Sequence, residues 1–577
     1  MADNKRLAAT AAALALIFAY WFYLSSEGLH AYFTGDDGMN LQALHHYWEK
    51  PYWHSVLDAL TIATPAYRPV GGLIYCTLYP LFGFDPLPFR VACYAILAGN
   101  LLLAYFFLRR LSGSRQAALF ALVLFSFHAS MMDLYYNTGT VYDLLCFTFY
   151  VSALTVYVGA RRTSAFRWRA AFAVLALYGG ALGSKEMAVT FPAALLLYEG
   201  LWHFREPRWI RNRAAVVIAA SGLMTGAFLY VKIALPNAMS GNALYRPSLS
   251  PVAILNAFCH YADLLLYVEG KLFTPVSLLL TVSVLLVFAW WRRSRAMAFG
   301  LLFFFVSLIP VSVIPPRPGF VMYLPALGLA LYAGIVVKDL CTALSRIIPV
   351  RLEPVRAAIP VAVFFALILL LLPIHVERRE YYARGLRHWH QVTRSFVADL
   401  TGLYPTLPAG ARLMLLNDPF ASDEWIPLFF ARAIYKDPAL LVERQKRLSG
   451  PATTEELILY DHVLDYRDGR LSERPSLSKI PGPTVPLVFV PEKVHPGDSY
   501  IVRVPALAGK TVDVAVRLQT GSVIQAAIVR NWCTLDASGE AKLVTPADHL
   551  SATVQIVGIR QHNGPWLQAK GELAVVR

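Results

Sequence analysis

Long apolar stretches separated by polar connectors run through residue 374, after which the pattern changes to short alternating runs. The apolar stretches fall at 7–24, 91–108, 116–131, 143–160, 170–183, 187–202, 214–235, 273–291, 296–314, 320–337 and 357–374. Several approach the ~20 apolar residues that cross a bilayer as a helix, so the pattern predicts a polytopic α-helical membrane protein of about eleven spans over residues 1–375. The first stretch lacks a small-residue cleavage site ahead of the following acidic loop and reads as an uncleaved anchor. Beyond it the pattern predicts a buried strand at 412–417, an amphipathic helix at 423–435 and a short strand at 440–442, within a mixed α/β segment spanning 376–482. From 483 to 577, polar and apolar residues alternate between Gly and Pro turns, with strands expected at 499–504, 511–518, 523–529 and 552–559. That spacing predicts a small antiparallel, Ig-like β-sandwich.

Composition agrees with this division. Hydrophobic residues make up 57% of the 577, and the mean hydropathy is +0.48. Charge then orients the chain. Of the 28 Lys and Arg up to residue 374, 20 cluster on alternate connectors, around Lys5, Arg109, Arg161, Arg205, Arg292 and Lys338. Basic connectors stay on the cytoplasmic side, which places the N-terminus inside and, after eleven crossings, the C-terminal region outside. The net charge of +15 is therefore topogenic and is no nucleic-acid footprint. The six cysteines show no pairing or metal spacing and read as buried thiols. No Asn-x-Ser/Thr sequon occurs, which favours a bacterial cytoplasmic membrane and a periplasmic C-terminal region.

The outer connectors hold the candidate chemistry. The first carries Gly35-Asp36-Asp37-Gly38 just after the first span, followed by His45-His46 on a possible interfacial helix, and then Arg68, an outer cation suited to phosphate or to lipid headgroups. The second carries His128, Asp133 and Asp143. Asp143 reads as the N-terminal cap of the fourth span, and Asp133 as a further carboxylate that can face a common cavity. Between Arg169 and His203 there are too few residues for two full crossings of ~20 each. The turn Gly183-Ser184-Lys185-Glu186 must therefore lie below the membrane surface, where irregular backbone survives only inside protein or beside a wet cavity. Lys185 and Glu186 at that depth are functional candidates, or they neutralise one another; the two roles are compatible. Arg317, stiffened between prolines, reads as a phosphate ligand.

Taken in order, the Tyr67-Arg68-Pro69 run, the 128–145 loop ending in Tyr142-Asp143-Leu144-Leu145, the Ser184-Lys185-Glu186-Met187-Ala188-Val189-Thr190 turn and the 323–329 run resemble the C-type membrane glycosyltransferases. The likeness is to the branch of O-mannosyltransferase-like proteins that often carries tetratricopeptide repeats, and it covers residues 1–375. It implies a polyprenyl- or dolichyl-phosphate sugar donor, action on the non-cytoplasmic face, and an acid in the first outer connector as base. Two departures are evident. The repeat tail is replaced by the α/β and sandwich regions, and the His-Pro-x-His-x-Glu pattern of the second connector is replaced by Phe127-His128-Ala129-Ser130-Met131-Met132-Asp133.

The chemistry expected of such an enzyme needs a carboxylate to deprotonate the acceptor hydroxyl and fixed cations beside the leaving lipid phosphate. Asp37 and Asp36 are the candidates for the base, with Asp37 narrowly preferred, and Asp133 is a third catalytic candidate. Lys185, Arg317 and Arg68 are the candidates for the phosphate, with Glu186 and His128 supporting. Single displacement would invert the anomeric centre. The three aspartates suffice to hold a divalent metal, but none is expected to be needed. The acceptor is a hydroxyl on protein, lipid or polysaccharide. A lipid-linked sugar transporter or flippase, or a non-catalytic envelope assembly protein, are the readings from other classes.

Overall fold

The computed structural model describes residues 2–44, 53–54, 57, 68–162, 167–204, 213–234, 246–268, 270–448, 450, 452–474, 480, 484–520, 523–545 and 551–576. The chain divides into two compact units, one of Met1–Tyr32 and Lys50–Trp389, the other of Phe33–Glu49 and His390–Arg577. This division differs from a boundary at residue 376 in two ways: the acidic connector belongs with the C-terminal region, and the boundary falls inside one long helix. The His45-His46 pair lies outside the described residues.

The first unit is helical. Among the described residues, seven helices are long and apolar enough to cross a membrane, or eight if the pair Arg115–Ser126 and Ala129–Tyr136, bent by 57°, counts as one span. Pro69–Phe82, Trp168–Leu182 and Pro275–Trp291 are shorter apolar helices. Each of the eleven predicted stretches overlaps a helix, the stretch 116–131 being broken at Phe127-His128 between Arg115–Ser126 and Ala129–Met131. The helix Pro69–Phe82 was not anticipated; Pro69 occupies the first helical position that the missing proline N–H suits. The last helix runs without interruption over Glu353–Leu403, a length of 51 residues. Its membrane part is apolar, whereas the continuation past Pro373 is charged and amphipathic.

The helix Tyr323–Ile347 packs against Arg115–Ser126 on one side and Arg295–Ser312 on another. The second contact is made backbone to backbone. A Cβ on Gly300 would lie 2.4 Å from the Gly328 carbonyl oxygen, and one on Gly328 would lie 2.3 Å from that of Gly300. Small residues at such crossings let membrane helices approach closely where no hydrophobic drive exists between them. Around this centre, Phe125, Phe147 and Tyr323 stack with ring centroids 4.6–5.4 Å apart. The outward faces stay apolar, as at Leu280, Val284 and Trp290.

Among the described residues, the second unit holds three sheets, a mixed four-stranded one and the two of a sandwich. In the first sheet, β1 (Arg412–Leu416) pairs in parallel with β2 (Leu441–Arg444) and β3 (His462–Arg467), and β4 (Arg470–Glu473) returns antiparallel on β3. The helix Ile426–Tyr435 connects β1 to β2, as the parallel pairing requires. The sandwich follows. Its strands are β5 (Val485–Pro486), β6 (Val488–Val490), β7 (Lys493–Val494), β8 (Ser499–Arg503), β9 (Thr511–Thr520), β10 (Val523–Thr534), β11 (Glu540–Val544), β12 (Ala552–Gln561) and β13 (Leu567–Val575). The larger sheet has the order β10-β9-β12-β13-β5, with β7 also on β13, and the smaller sheet β11-β8-β6; β8, β9, β10 and β12 begin at the positions read from the alternation. Their inward residues, among them Val502, Val514, Leu535, Ile559 and Leu573, form one core.

Candidate functional site

In the first unit the sunken turn gathers charge from four segments. The helices either side of it, Trp168–Leu182 and Phe191–Trp202, have 15 and 12 residues, roughly 22 and 18 Å at 1.5 Å per residue, too short to cross alone. Lys185 is extended, with φ −153° and ψ 149°, and Glu186 opens a 3₁₀ turn. Successive side chains on extended backbone point to opposite sides, so the two neighbours face different partners. Lys185 Nζ donates to Asp143 Oδ2 at 2.8 Å. Glu186 accepts from Arg68, through Nη2 at 2.8 Å and Nε at 3.3 Å, and from Lys232 Nζ at 2.9 Å.

Two expectations are thereby corrected. Lys185 and Glu186 do not neutralise each other, because the chain direction separates them. Asp143 lies in the first turn of Val141–Arg161, but its carboxylate holds Lys185 instead of capping the helix. Lys232 was missed altogether. Its signal was available: a lone lysine in the last turn of an apolar span, a position where a charge needs a reason.

Aromatic faces complete the group. Arg68 stands over the Tyr142 ring at 5.4 Å and Lys185 Nζ over the Phe320 ring at 5.2 Å, arrangements in which ring quadrupoles attract cations. Phe320 belongs to the connector of Arg317, whose backbone N–H donates to the Tyr261 hydroxyl at 3.1 Å; Arg317 is half-buried. That connector in turn lies against the second one, since a Cβ on Gly319 would sit 2.1 Å from the Ser130 carbonyl oxygen. His128 is tied down there. Its Nδ1 meets Ser130 Oγ at 2.8 Å, its Nε2 meets the Leu265 carbonyl at 3.0 Å, and its ring stacks on Tyr267 at 4.3 Å. The carbonyl only accepts, so Nε2 carries a proton. Asp133 is half-buried and begins the short helix Asp133–Tyr136.

Among the described residues, the set thus brings three cations, Arg68, Lys185 and Lys232, against two carboxylates, Asp143 and Glu186. Such a group can hold an anion with fixed, pre-oriented donors.

The acid pair lies in the second unit. Asp37 is fully buried and closes a capping box at the start of the helix Gly35–Ala43: its Oδ2 accepts from the Thr34 N–H at 2.8 Å and from Thr34 Oγ1 at 3.2 Å. The Thr-x-x-Asp spacing signals this role in sequence. Asp36, one residue earlier, is exposed. The helix packs on Ile426–Tyr435, where a Cβ on Gly38 would meet the Phe430 ring at 2.8 Å. Nearby, burial, followed by the charges of Asp423 and Asp36, raises the Glu424 carboxyl above its ordinary range against the pull of Arg444.

Among the described residues, no group of three or more His, Cys, Asp or Glu is placed to hold a metal ion. All six cysteines are free and buried.

Residues 64–230 match the family model described as dolichyl-phosphate-mannose-protein mannosyltransferase. The matched stretch contains Arg68, His128, Asp133, Asp143, Lys185 and Glu186, while Lys232 follows it directly. No curated protein matches the chain. Among solved structures, ArnT from Cupriavidus metallidurans in the apo state shares 14% identity at a TM-score of 0.47, over 83% of this chain and 100% of that one. The same protein bound to undecaprenyl phosphate gives 14% and 0.47, over 81% and 98%. The archaeal oligosaccharyltransferase AglB from Archaeoglobus fulgidus, in complex with an inhibitory peptide and a dolichol-phosphate, gives 10% and 0.43, over 98% and 97%.

Proposed function

We propose that this chain, whose residues 64–230 carry the sequence of the mannosyltransferase family model, is an inverting glycosyltransferase of the C-type membrane class. It moves a sugar from a polyprenyl-phosphate donor to an acceptor hydroxyl on the extracytoplasmic side of the membrane. The observation that carries the reading is the gathering of three cations at one turn between two short apolar helices. Three donors, Arg68, Lys185 and Lys232, face two carboxylates at distances of 2.8–2.9 Å, and Arg68 and Lys185 lie within the segment that the family model matches. A departing lipid phosphate gains negative charge as the glycosidic bond breaks, and donors already oriented stabilise that charge without reorganising. Arg317, on the connector that supplies Phe320 to Lys185, is proposed as a further phosphate ligand.

The base is proposed to be Asp36. Its carboxylate is exposed, whereas that of Asp37 is engaged with Thr34; Asp37 is then a positioning residue that fixes the start of the helix. Asp133 is kept as an alternative acid, and His128 as the residue that anchors its connector. The alternation of basic connectors supports a cytoplasmic N-terminus and an extracytoplasmic C-terminal region.

The test is sugar transfer in proteoliposomes containing the purified full chain and a synthetic polyprenyl-phosphate hexose. Arg68→Ala, Lys185→Ala and Arg317→Ala are each expected to lower transfer at least about 100-fold, as losing one oriented donor does elsewhere. Transfer at the wild-type rate in all three would reject the phosphate site. Transport of the intact lipid-linked sugar with no bond cleavage would instead favour a flippase.

A further inference from the structure

Within the cationic group the two carboxylates are held differently. Asp143 is 6% exposed and answers one lysine. Glu186 is 30% exposed and answers two cations at once, Arg68 through both carboxylate oxygens and Lys232 through one. It has the longer arm and sits at the first position of a 3₁₀ turn. It therefore presents to Arg68 and Lys232 what a phosphate would present: a pair of acceptor oxygens and a negative charge.

We propose that Glu186 is a displaceable internal anion. In the donor-free protein it occupies the place on Arg68 and Lys232 that the donor phosphate takes, and it returns there as the lipid phosphate leaves. This rests on the reading of the group as a phosphate site. The physical case lies in the cost of the empty state. Arg68 stripped of its bidentate carboxylate would be a largely withdrawn and uncompensated charge, and Glu186 removes that cost. The donor then exchanges one anion for another, so no bare cation is ever exposed. The exchange weakens donor affinity, because the apparent dissociation constant is the intrinsic one divided by the fraction of protein with open cations. An open fraction of one tenth gives a penalty of about tenfold. The same competition drives off the product phosphate, which would otherwise bind as tightly as the donor.

The experiment uses the full chain in nanodiscs and decaprenyl monophosphate, without sugar, as the probe. Binding is measured for the wild type, Glu186→Gln, Glu186→Asp and the double variant Arg68→Ala/Lys232→Met. Glu186→Gln is expected to bind about tenfold tighter and to show stronger product inhibition during turnover. Glu186→Asp, with a shorter arm, is expected to bind about threefold tighter, and it decides the matter if Glu186→Gln does not fold. The double variant is expected to bind more weakly. Unchanged or weaker binding in the Glu186 variants, with the double variant still impaired, overturns the exchange and leaves the phosphate site standing. A double variant that binds like the wild type overturns the phosphate reading itself.

Discussion

Lys185 reaches past its neighbour Glu186 to Asp143, 42 positions earlier, at 2.8 Å. With side chains 15% and 6% exposed, the pair is largely withdrawn from water, and removing one partner leaves the other charge uncompensated. Asp143→Asn is expected to cost about 3 kcal/mol, and Lys185→Met a similar amount. The double variant is expected to cost less than the sum of the two. A double-mutant cycle on thermal unfolding in detergent measures the difference, and simple additivity would show that the pair contributes nothing.

Asp36 and Asp37 are expected to fail in different ways. Asp36→Asn should lower sugar transfer at least about 100-fold with stability unchanged. Asp37→Asn should lose about 1 kcal/mol through the capping box, with a smaller loss of rate. Paired assays of transfer and thermal midpoint separate the two outcomes, and the reverse assignment would return the base to Asp37.

Gly300 and Gly328 leave no room for a methyl group. Gly328→Ala is expected to destabilise the helix pair by about 2 kcal/mol, in the range of overpacked cores, and Gly328→Val by more. Gly222 has nothing within 4 Å of its absent Cβ. There, in the interior of the helix Arg213–Ala234, alanine should stabilise by up to about 1 kcal/mol. Detergent-solubilised thermal midpoints compare all three.

In the sandwich, Asp513 accepts from Arg560 Nε at 2.8 Å, from the Asn531 N–H at 2.9 Å and from His562 Nδ1 at 2.8 Å. Burial raises this carboxyl, but the hydrogen bonds from His562, Asn531 and Arg560 together outweigh burial and hold it at about 2. An unfolded aspartate titrates near 3.9. The folded value is the lower, so this contribution to stability is complete above about pH 4 and lost as pH falls towards 2. Amide exchange in β9 and β12 is expected to accelerate over that window in the wild type. In Asp513→Asn the acceleration should be flatter and the exchange faster at neutral pH.

Much of the fold was legible because hydrophobic period is a local property. The eleven apolar stretches and the strands at 412, 499, 511, 523 and 552 are each fixed by residues close in sequence. The helix Pro69–Phe82 was hidden by Gly71, Gly72 and Pro80, which read as connector. The last helix was cut short at Pro373 because its side chains change there from apolar to charged while its backbone stays helical. The site was less legible. Counting residues singled out the 183–186 turn, but its partners were not legible: Asp143 is 42 positions from Lys185, and Arg68 and Lys232 are 118 and 46 positions from Glu186. Adjacency suggested a Lys-Glu pair, and only the tertiary arrangement shows two separate ones. The Asp37 cap, by contrast, was written in Thr34-x-x-Asp37 and was passed over for a chemical role.

The single extended residue at Lys185 makes the sunken turn sensitive to word order. A Glu-Lys version would keep every atom count and the net charge. It would nevertheless set carboxylate against carboxylate at Asp143 and ammonium against both Arg68 and Lys232. Inserting one residue would rotate the same letters onto the wrong sides. The chain can therefore drift in composition around this turn, but it cannot drift in sequence parity.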